Sequence, residues 1–419
     1  MASERPQLVS FLQEFSIPLI AGVLFALAAA NLNPEGYHHV VHWKIFGDVT
    51  VFGHALDLHF LINDVFMVFF FGIAAKEITE ACLPGGSLNP LRKAINPLVA
   101  TIGGVVGPVT VFFAALALAR SAGAFDAGAD PEVLRRGWGI PTATDIALAW
   151  LVARAVFGAG HPAIDFLLLL AVADDAIGLA IIAVFYGDPS NPARPLLLLV
   201  VLLGIAVALA LRLARVKSWV PYVFIAGPIA WSGLMLAHLH PALALVFIVP
   251  FLPGPERDPG LFVEEDGGED PAHHSTLHNF EHQLKLLVDM GLFFFAFANA
   301  GVAFAEIGPM TWIVLASLVV GKTIGITLFA WIASKIGFPL PERIGMRELV
   351  TLALIAALGL TVALFVAGAA YGGIDASMEG QAKMGALFSG LVGFAAIALG
   401  VLLRVRGGRG GSQASDEPS

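Results

Sequence analysis

The sequence predicts an all-α membrane protein with about twelve transmembrane helices, and three observations predict it. Apolar residues make up 58% of the 419 residues, charged residues only 13%, and the mean hydropathy is +0.83. A soluble domain carries about a quarter charged residues, so this chain lacks the polar material to cover a globule in water. The apolar residues are also gathered into runs near the ~20 residues that a helix needs to span a bilayer. Runs that long and that apolar exclude barrel strands, which leaves helix as the way to satisfy the backbone in lipid. Finally, the 45 glycines suit helices that pack closely without a hydrophobic driving force between them.

Taken in order, the runs fall at 15–31, 60–78, 97–119, 141–156, 163–186, 195–213, 220–236, 241–252, 284–304, 312–336, 349–371 and 384–403. The eighth is short, and the fourth is interrupted by polar residues. No small-residue cleavage site follows the first run and further runs come after it, so it is read as a membrane helix and not a secretory signal. With the N-terminus placed in the cytoplasm, most of the 23 Lys and Arg residues fall in cytoplasmic segments, including Arg92, Lys93, Arg212, Arg215, Lys217, Lys335, Arg343, Arg404 and Arg406. That bias predicts an even number of spans with both termini cytoplasmic.

The polar segments are few. The acidic excess behind the net charge of −9 is concentrated between 256 and 281, with EEDGGED at 264–270. This loop, 253–283, also carries His273, His274, His278 and His282. It reads as a solvated loop, or as one that senses pH near neutrality. Residues 37–59 form a polar hairpin or loop on the outer side. A membrane domain over 1–406 is followed by a Gly- and Ser-rich tail at 407–419, which is expected to be disordered. The single cysteine, Cys82, excludes an intramolecular disulfide.

The chemistry is concentrated in the polar residues that lie inside apolar runs. LLLLAVADDAIGLAII, 167–182, strands Asp174 and Asp175 in the middle of a span. Each Asp at a helix centre costs about 2.5–3.5 kcal/mol on an insertion scale, so packing alone does not account for the pair. Neighbouring residues point about 100° apart on a helix, so both can border one cavity. Two close carboxylates titrate as a unit, and a small hard cation is bound by oxygen ligands, carboxylates among them. Protons and a cation therefore compete for the same oxygens, and such competition becomes exchange if only the loaded forms change sides.

Three further motifs surround this one. In GWGIPTATDIALAW, 137–150, Pro141 lacks an amide hydrogen, and a break near Thr144 would free carbonyls to ligate a cation while Asp145 neutralises positive helix ends. The alternative is that Pro141 merely starts the helix with Asp145 in its first turn. In LVVGKTIGIT, 318–327, Lys322 lies too far into the run to snorkel and needs an anionic partner, Asp174 or Asp145. Gly321 and Gly325 flank it at the same spacing as Gly103 and Gly107. In ALGLTVALF, 357–365, Gly359 and Thr361 can break a helix as Pro141 and Thr142 do, and these matching places hint at an inverted repeat. Asp64 faces either water or the bundle; Lys76, Glu77 and Glu80 read as an ordinary interfacial cluster; Asn299, in AFANAGVAF, reads as a bond across a helix interface.

Together, IPTATDIA, AVADDAIG, LHPALALV, FAFANAGV and GKTIGI, in this order and spacing, make the chain resemble the NhaA family of sodium/proton antiporters from about residue 15 to 406. The resemblance implies inverted repeats with two broken, crossing helices, a fold for which that family is itself a known example. It implies that Asp174 and Asp175 bind the cation, sodium or lithium, and the exchanged protons. Thr144 would line the site, and Asp145 and Lys322 would balance the partial charges of the broken helices. His240 and Glu281 match positions linked to pH response. The exchange would be electrogenic, without an organic cofactor, in the inner membrane. The resemblance also implies a homodimer, formed through the 37–59 hairpin. The sequence departs from the family where Lys76 stands near an expected acidic residue, with Glu77 one place on. A sodium-coupled symporter of an organic anion is the rival reading, but the apolar linings offer few groups to read a large solute. A membrane ion sensor is a second rival, which the short tails leave without an output domain.

Overall fold

The computed structural model describes residues 16–84, 86, 88, 91–126, 128–187, 193–254, 275–403 and 405. The acidic stretch 264–270, His273, His274 and the tail 407–419 lie outside the described residues. Among the described residues the bundle is built from helices α1 (Ile17–Leu32), α3 (Leu58–Ala81), α4 (Leu91–Ser121), α5 (Pro131–Thr142) with α6 (Ile146–Phe157), α7 (Pro162–Phe185), α8 (Pro195–Leu213), α9 (Tyr222–Leu236), α10 (Pro241–Phe251), α11 (Thr276–Asn299), α12 (Pro309–Lys335), α13 (Met346–Ile355) with α14 (Leu360–Tyr371), and α15 (Ala376–Leu402); six of these are long and apolar enough to cross a membrane alone, and each bent pair makes one further span. A short helix, α2 (Pro34–Val41), and a two-stranded antiparallel hairpin, β1 (Thr50–Val51) with β2 (His54–Ala55), stand between α1 and α3 and mark one face of the bundle. We call this the hairpin face and the opposite side the far face.

Each of the twelve apolar runs finds its helix, and the departures have physical causes. The ninth span starts at Thr276 and ends at Asn299, not at 284 and 304. Ser275 caps it by accepting from the His278 amide, so His278 and His282 belong to a helix and not to the acidic loop. The eighth span is wound as 3-10 turns over Pro241–Phe247 and Val249–Phe251, a tighter winding used in short pieces. The fourth span does not begin at Pro141. That proline lies inside a 3-10 segment, Gly137–Thr142, and the helix restarts only at Ile146 with Asp145 as its cap. The two broken spans bend by 48° and 49°.

Two bundles share the work. In one, α1 packs on α11, α8 on α9, and α10 on α3 and α9. In the other, α4 packs on α12 and α7, and the broken spans α5–α6 and α13–α14 lie among α7, α12 and α15. This second bundle repeats one order, long helix, broken helix, helix, over 91–185 and 309–402. The glycine pairs seat its two long helices against each other: a Cβ on Gly103 would meet the backbone of Gly325, and one on Gly107 the carbonyl of Gly321. That contact needs backbone against backbone, so no larger residue serves there.

Candidate functional site

Both broken spans open at the same depth, and they cross there. Ala143 and Asp145 are extended between α5 and α6, and residues 356–359 separate α13 from α14. The crossing is stitched by backbone: the Asp145 amide donates to the Leu358 carbonyl at 2.6 Å. Breaks of this kind survive at membrane depth only where protein buries them and satisfies their polar groups.

Asp145 sits between the two helix starts that the breaks create. One carboxylate oxygen accepts from the Leu148 amide of α6 at 3.1 Å. The other accepts from both the amide and the hydroxyl of Thr361 in α14, at 3.2 and 3.0 Å. A helix N-terminus carries roughly half a positive charge, so one anion balances two such ends. The sequence already set Asp145 against positive helix ends and left Lys322 open to pair with either Asp174 or Asp145. Lys322 turns to Asp174.

The Lys322 ammonium donates to an Asp174 carboxylate oxygen at 2.8 Å and to the Thr144 hydroxyl at 2.6 Å, and both charged side chains are 0% exposed. The Thr144 hydroxyl lies 2.9 Å from the same Asp174 oxygen and 2.9 Å from the Ala356 carbonyl of the second break. A hydroxyl has one proton to give, so Thr144 serves one of these acceptors at a time. Lys322 lies at the end of a π-wound segment, Ser317–Lys322, and such single-turn bulges recur at functional positions.

Asp175 is placed differently. It is half-buried, and its Oδ1 is shut from solvent with no hydrogen-bond partner. The second Asp174 oxygen is likewise buried without a partner. Buried carboxylate oxygens without donors are costly, and three routes end the cost: a proton, a cation, or water. Asp174, Thr144, Asp145 and Lys322 thus lie at the crossing of the breaks, with Asp175 next to Asp174 in the chain, and two groups that the sequence did not mark as ligands, Thr361 and the Ala356 carbonyl, bond to them. Thr361 was legible only as a helix breaker matching Thr142; Ala356 has no side-chain signal at all.

His240 and Glu281 lie apart from this cluster and from each other. His240 borders a cavity of about 360 Å³ on the hairpin face, where its Nδ1 is 3.8 Å from an Asp64 oxygen. Asp64 itself faces that cavity from a π-wound turn, Leu61–Phe66. Asp174 and Asp175 are not among the cavity's lining residues. Below it the His240 ring packs on Phe365 at 4.6 Å, and Phe365 packs on Phe71 at 4.9 Å. Glu281 is at the far-face end of α11, ion-paired with Lys76 and 3.6 Å from Lys285. Lys76 also pairs with Glu80 at 2.6 Å. Lys76 and Glu80 are each only 6% exposed, so the expected interfacial cluster is in fact buried, because α3 is covered there by α10 and α11. The expected bond of Asn299 across a helix interface is present, to the Asn63 side chain at 2.9 Å.

Comparison with known proteins agrees with this architecture. A family model described as Na+/H+ antiporter 1 matches residues 9–403. The Na(+)/H(+) antiporter NhaA of Geobacter sulfurreducens is 56% identical over 398 residues, covering 95% of this chain and 98% of its own. That of Geobacter metallireducens is 57% identical with the same coverage, and that of Jannaschia sp. is 42% identical over 432 residues, with 95% and 98% covered. The protein is a multi-pass membrane protein of a transporter family, and the chain belongs to the Na+/H+ antiporter 1 family.

Proposed function

We propose that this chain exchanges sodium for protons on Asp174 and Asp175, with Thr144 lining the site. One observation carries the reading: at the crossing of two broken helices, one aspartate is held by a buried lysine while its neighbour keeps a buried oxygen with no partner. The unpartnered Asp175 is where a cation or a proton adds at least cost. A cation arriving between Asp174 and Asp175 weakens the hold of Asp174 on Lys322, because both draw on the same carboxylate. A proton on either aspartate expels the cation. Freed carbonyls at the breaks, that of Ala356 among them, supply neutral oxygens of the kind hard monovalent cations accept. Asp145 keeps the crossing neutral and does not itself leave its helix ends. Two carboxylates that load protons against a single sodium move net charge, so the exchange is electrogenic.

Lithium, with the same ligand chemistry, is a second cargo. The Lys and Arg bias supports both termini in the cytoplasm, hence the far face inward, and an inner-membrane setting for the 1–406 membrane domain with a cytoplasmic tail at 407–419. Exposed Trp43, Phe46, Val49 and Phe52 on the hairpin segment support a homodimer there. His240, beside Asp64, and Glu281, beside Lys76, are the candidates for pH response. The symporter alternative is not favoured: the family is one of sodium/proton antiporters.

Everted membrane vesicles with a pH-sensitive dye test the reading. Sodium should collapse a preformed proton gradient with the unaltered chain and leave it intact with Asp175→Asn. Normal exchange by that variant would remove Asp175 from the site.

A further inference from the structure

The helix that carries Asp174 and Asp175, α7, begins at the far face on a histidine. It follows α6 after a tight turn in which Gly158 and Gly160 take positive φ. Pro162, at its first position, has no amide hydrogen, so the Ala163 amide is the first donor the helix leaves over. That amide donates to Nδ1 of His161, the residue that caps the helix, at 3.2 Å. The His161 ring stacks on Phe157, the last residue of α6, at 5.3 Å and 19°, and His161 is only 7% exposed. One imidazole thus sits in the joint of α6 and α7, and α13, the far-face half of the second broken span, packs on both of these helices.

A cap made by imidazole works in one protonation state. The bond from Ala163 takes the Nδ1 lone pair and puts the ring proton on Nε2, whereas an imidazolium has two N–H donors and no acceptor. A proton on His161 therefore sets donor against donor and adds a positive charge to the positive end of α7. The neutral side chains of Asn and Ser cap equally well without this dependence. Burial, and next the charge of Arg343 on the loop entering α13, hold the His161 pKa below its usual 6.5, and Glu348 of α13 offsets this only in part. The other charges near the joint are turned elsewhere: Arg154 of α6 lies over the Trp150 ring at 5.1 Å, and Asp165, Glu342 and Arg347 are exposed. Because the fold favours the neutral ring, the cap is complete above pH 6.5 and is lost as pH falls through the lowered pKa.

We propose that His161 is a positioning residue whose neutral imidazole seats the far-face end of α7, and that its protonation slows exchange by loosening that end. The inference rests on α7 carrying the exchange site. The cap lies about 20 Å along the helix from Asp174, so its loss leaves the carboxylate oxygens untouched. Proton competition at those oxygens raises the KM for sodium; loss of the cap lowers the maximal rate at saturating sodium. Sodium-dependent proton movement in vesicles, with the far-face pH stepped from about 8 to about 5.5, separates the two. The maximal rate of the unaltered chain should fall about fivefold over this range. His161→Asn should hold its maximal rate within about twofold while its KM still rises in acid, and His161→Ala should be slow throughout. Protection of the Ala163 amide from hydrogen exchange should fall about tenfold in acid in the unaltered chain and not in His161→Asn. A flat maximal rate in the unaltered chain, an equal acid fall in His161→Asn, or unchanged Ala163 protection would overturn the proposal. Exchange surviving in Asp175→Asn would instead sink the site and leave the change in protection standing, whereas an inactive Asp175→Asn beside a His161→Asn that behaves as the unaltered chain removes His161 alone.

Discussion

The two helix breaks differ in what they bring to the site. The break between α5 and α6 supplies side chains: Thr144 touches Asp174 and Lys322, and Asp145 caps two helices. The break between α13 and α14 supplies mostly backbone, the Ala356 and Leu358 carbonyls and the Thr361 amide, and has no charge of its own. One half of an inverted repeat has taken on the charge balance of both. Two positive helix ends and one anion are cheaper in a membrane interior than two separate anions would be, since each further buried charge needs its own desolvation and its own partner.

That asymmetry is open to test, beginning where the effect should be largest. Lys322→Ala leaves Asp174 with the Thr144 hydroxyl but without its counter-charge in a site with no exposure, and breaking a buried pair by removing one partner costs about 3–5 kcal/mol. A thermal-unfolding midpoint in detergent should fall sharply. The double variant Lys322→Met with Asp174→Leu should recover much of that loss without recovering exchange. If the double variant is no more stable than the single, the pair is not what holds the crossing. Asp145→Ala comes next, because it uncaps α6 and α14 together. Loss of one cap costs about 0.5–2 kcal/mol, and here two helix ends lose theirs, so the midpoint should fall by more than any single-cap variant shows. Thr361→Val should cost about 1 kcal/mol through its lost bond to Asp145, and Thr361→Ser should restore it. A Thr361→Val loss as large as that of Asp145→Ala would mean that the second break, and not the first, carries the balance.

How much of this was legible in the sequence follows the same division. Residues that are polar in oil announce themselves by position alone: Asp174, Asp175, Asp145 and Lys322 each stand out in an apolar run; Asp174, Asp145 and Lys322 are bonded at the crossing, and Asp175 is next to Asp174 in the chain. Thr144 was found because Pro141 beside it foretold a break, although the helix restarts at Ile146 and not at the proline. The contributions of the second break were not legible, because carbonyls of Ala356 and Leu358 look like those of any alanine or leucine until the chain is seen to unwind there. Charges near span ends were also misjudged. Nothing local distinguishes Lys76, Glu77 and Glu80 from an ordinary interfacial cluster. Their burial depends on α10 and α11 lying over them, and those helices come more than a hundred residues later. The reach of α11 to Thr276 was hidden for the same reason, since its first turns are polar and face the far side of the membrane.

The most direct test of the central claim does not require transport. Sodium added to the purified, detergent-solubilised protein in buffers of different ionisation enthalpy, followed by titration calorimetry, counts the protons released per cation bound. Competition for the oxygens of Asp174 and Asp175 predicts that sodium binding expels protons, and that Asp175→Asn abolishes both the binding heat and the release. Sodium that binds tightly with no proton released, near the pH at which the protein exchanges, would contradict the account.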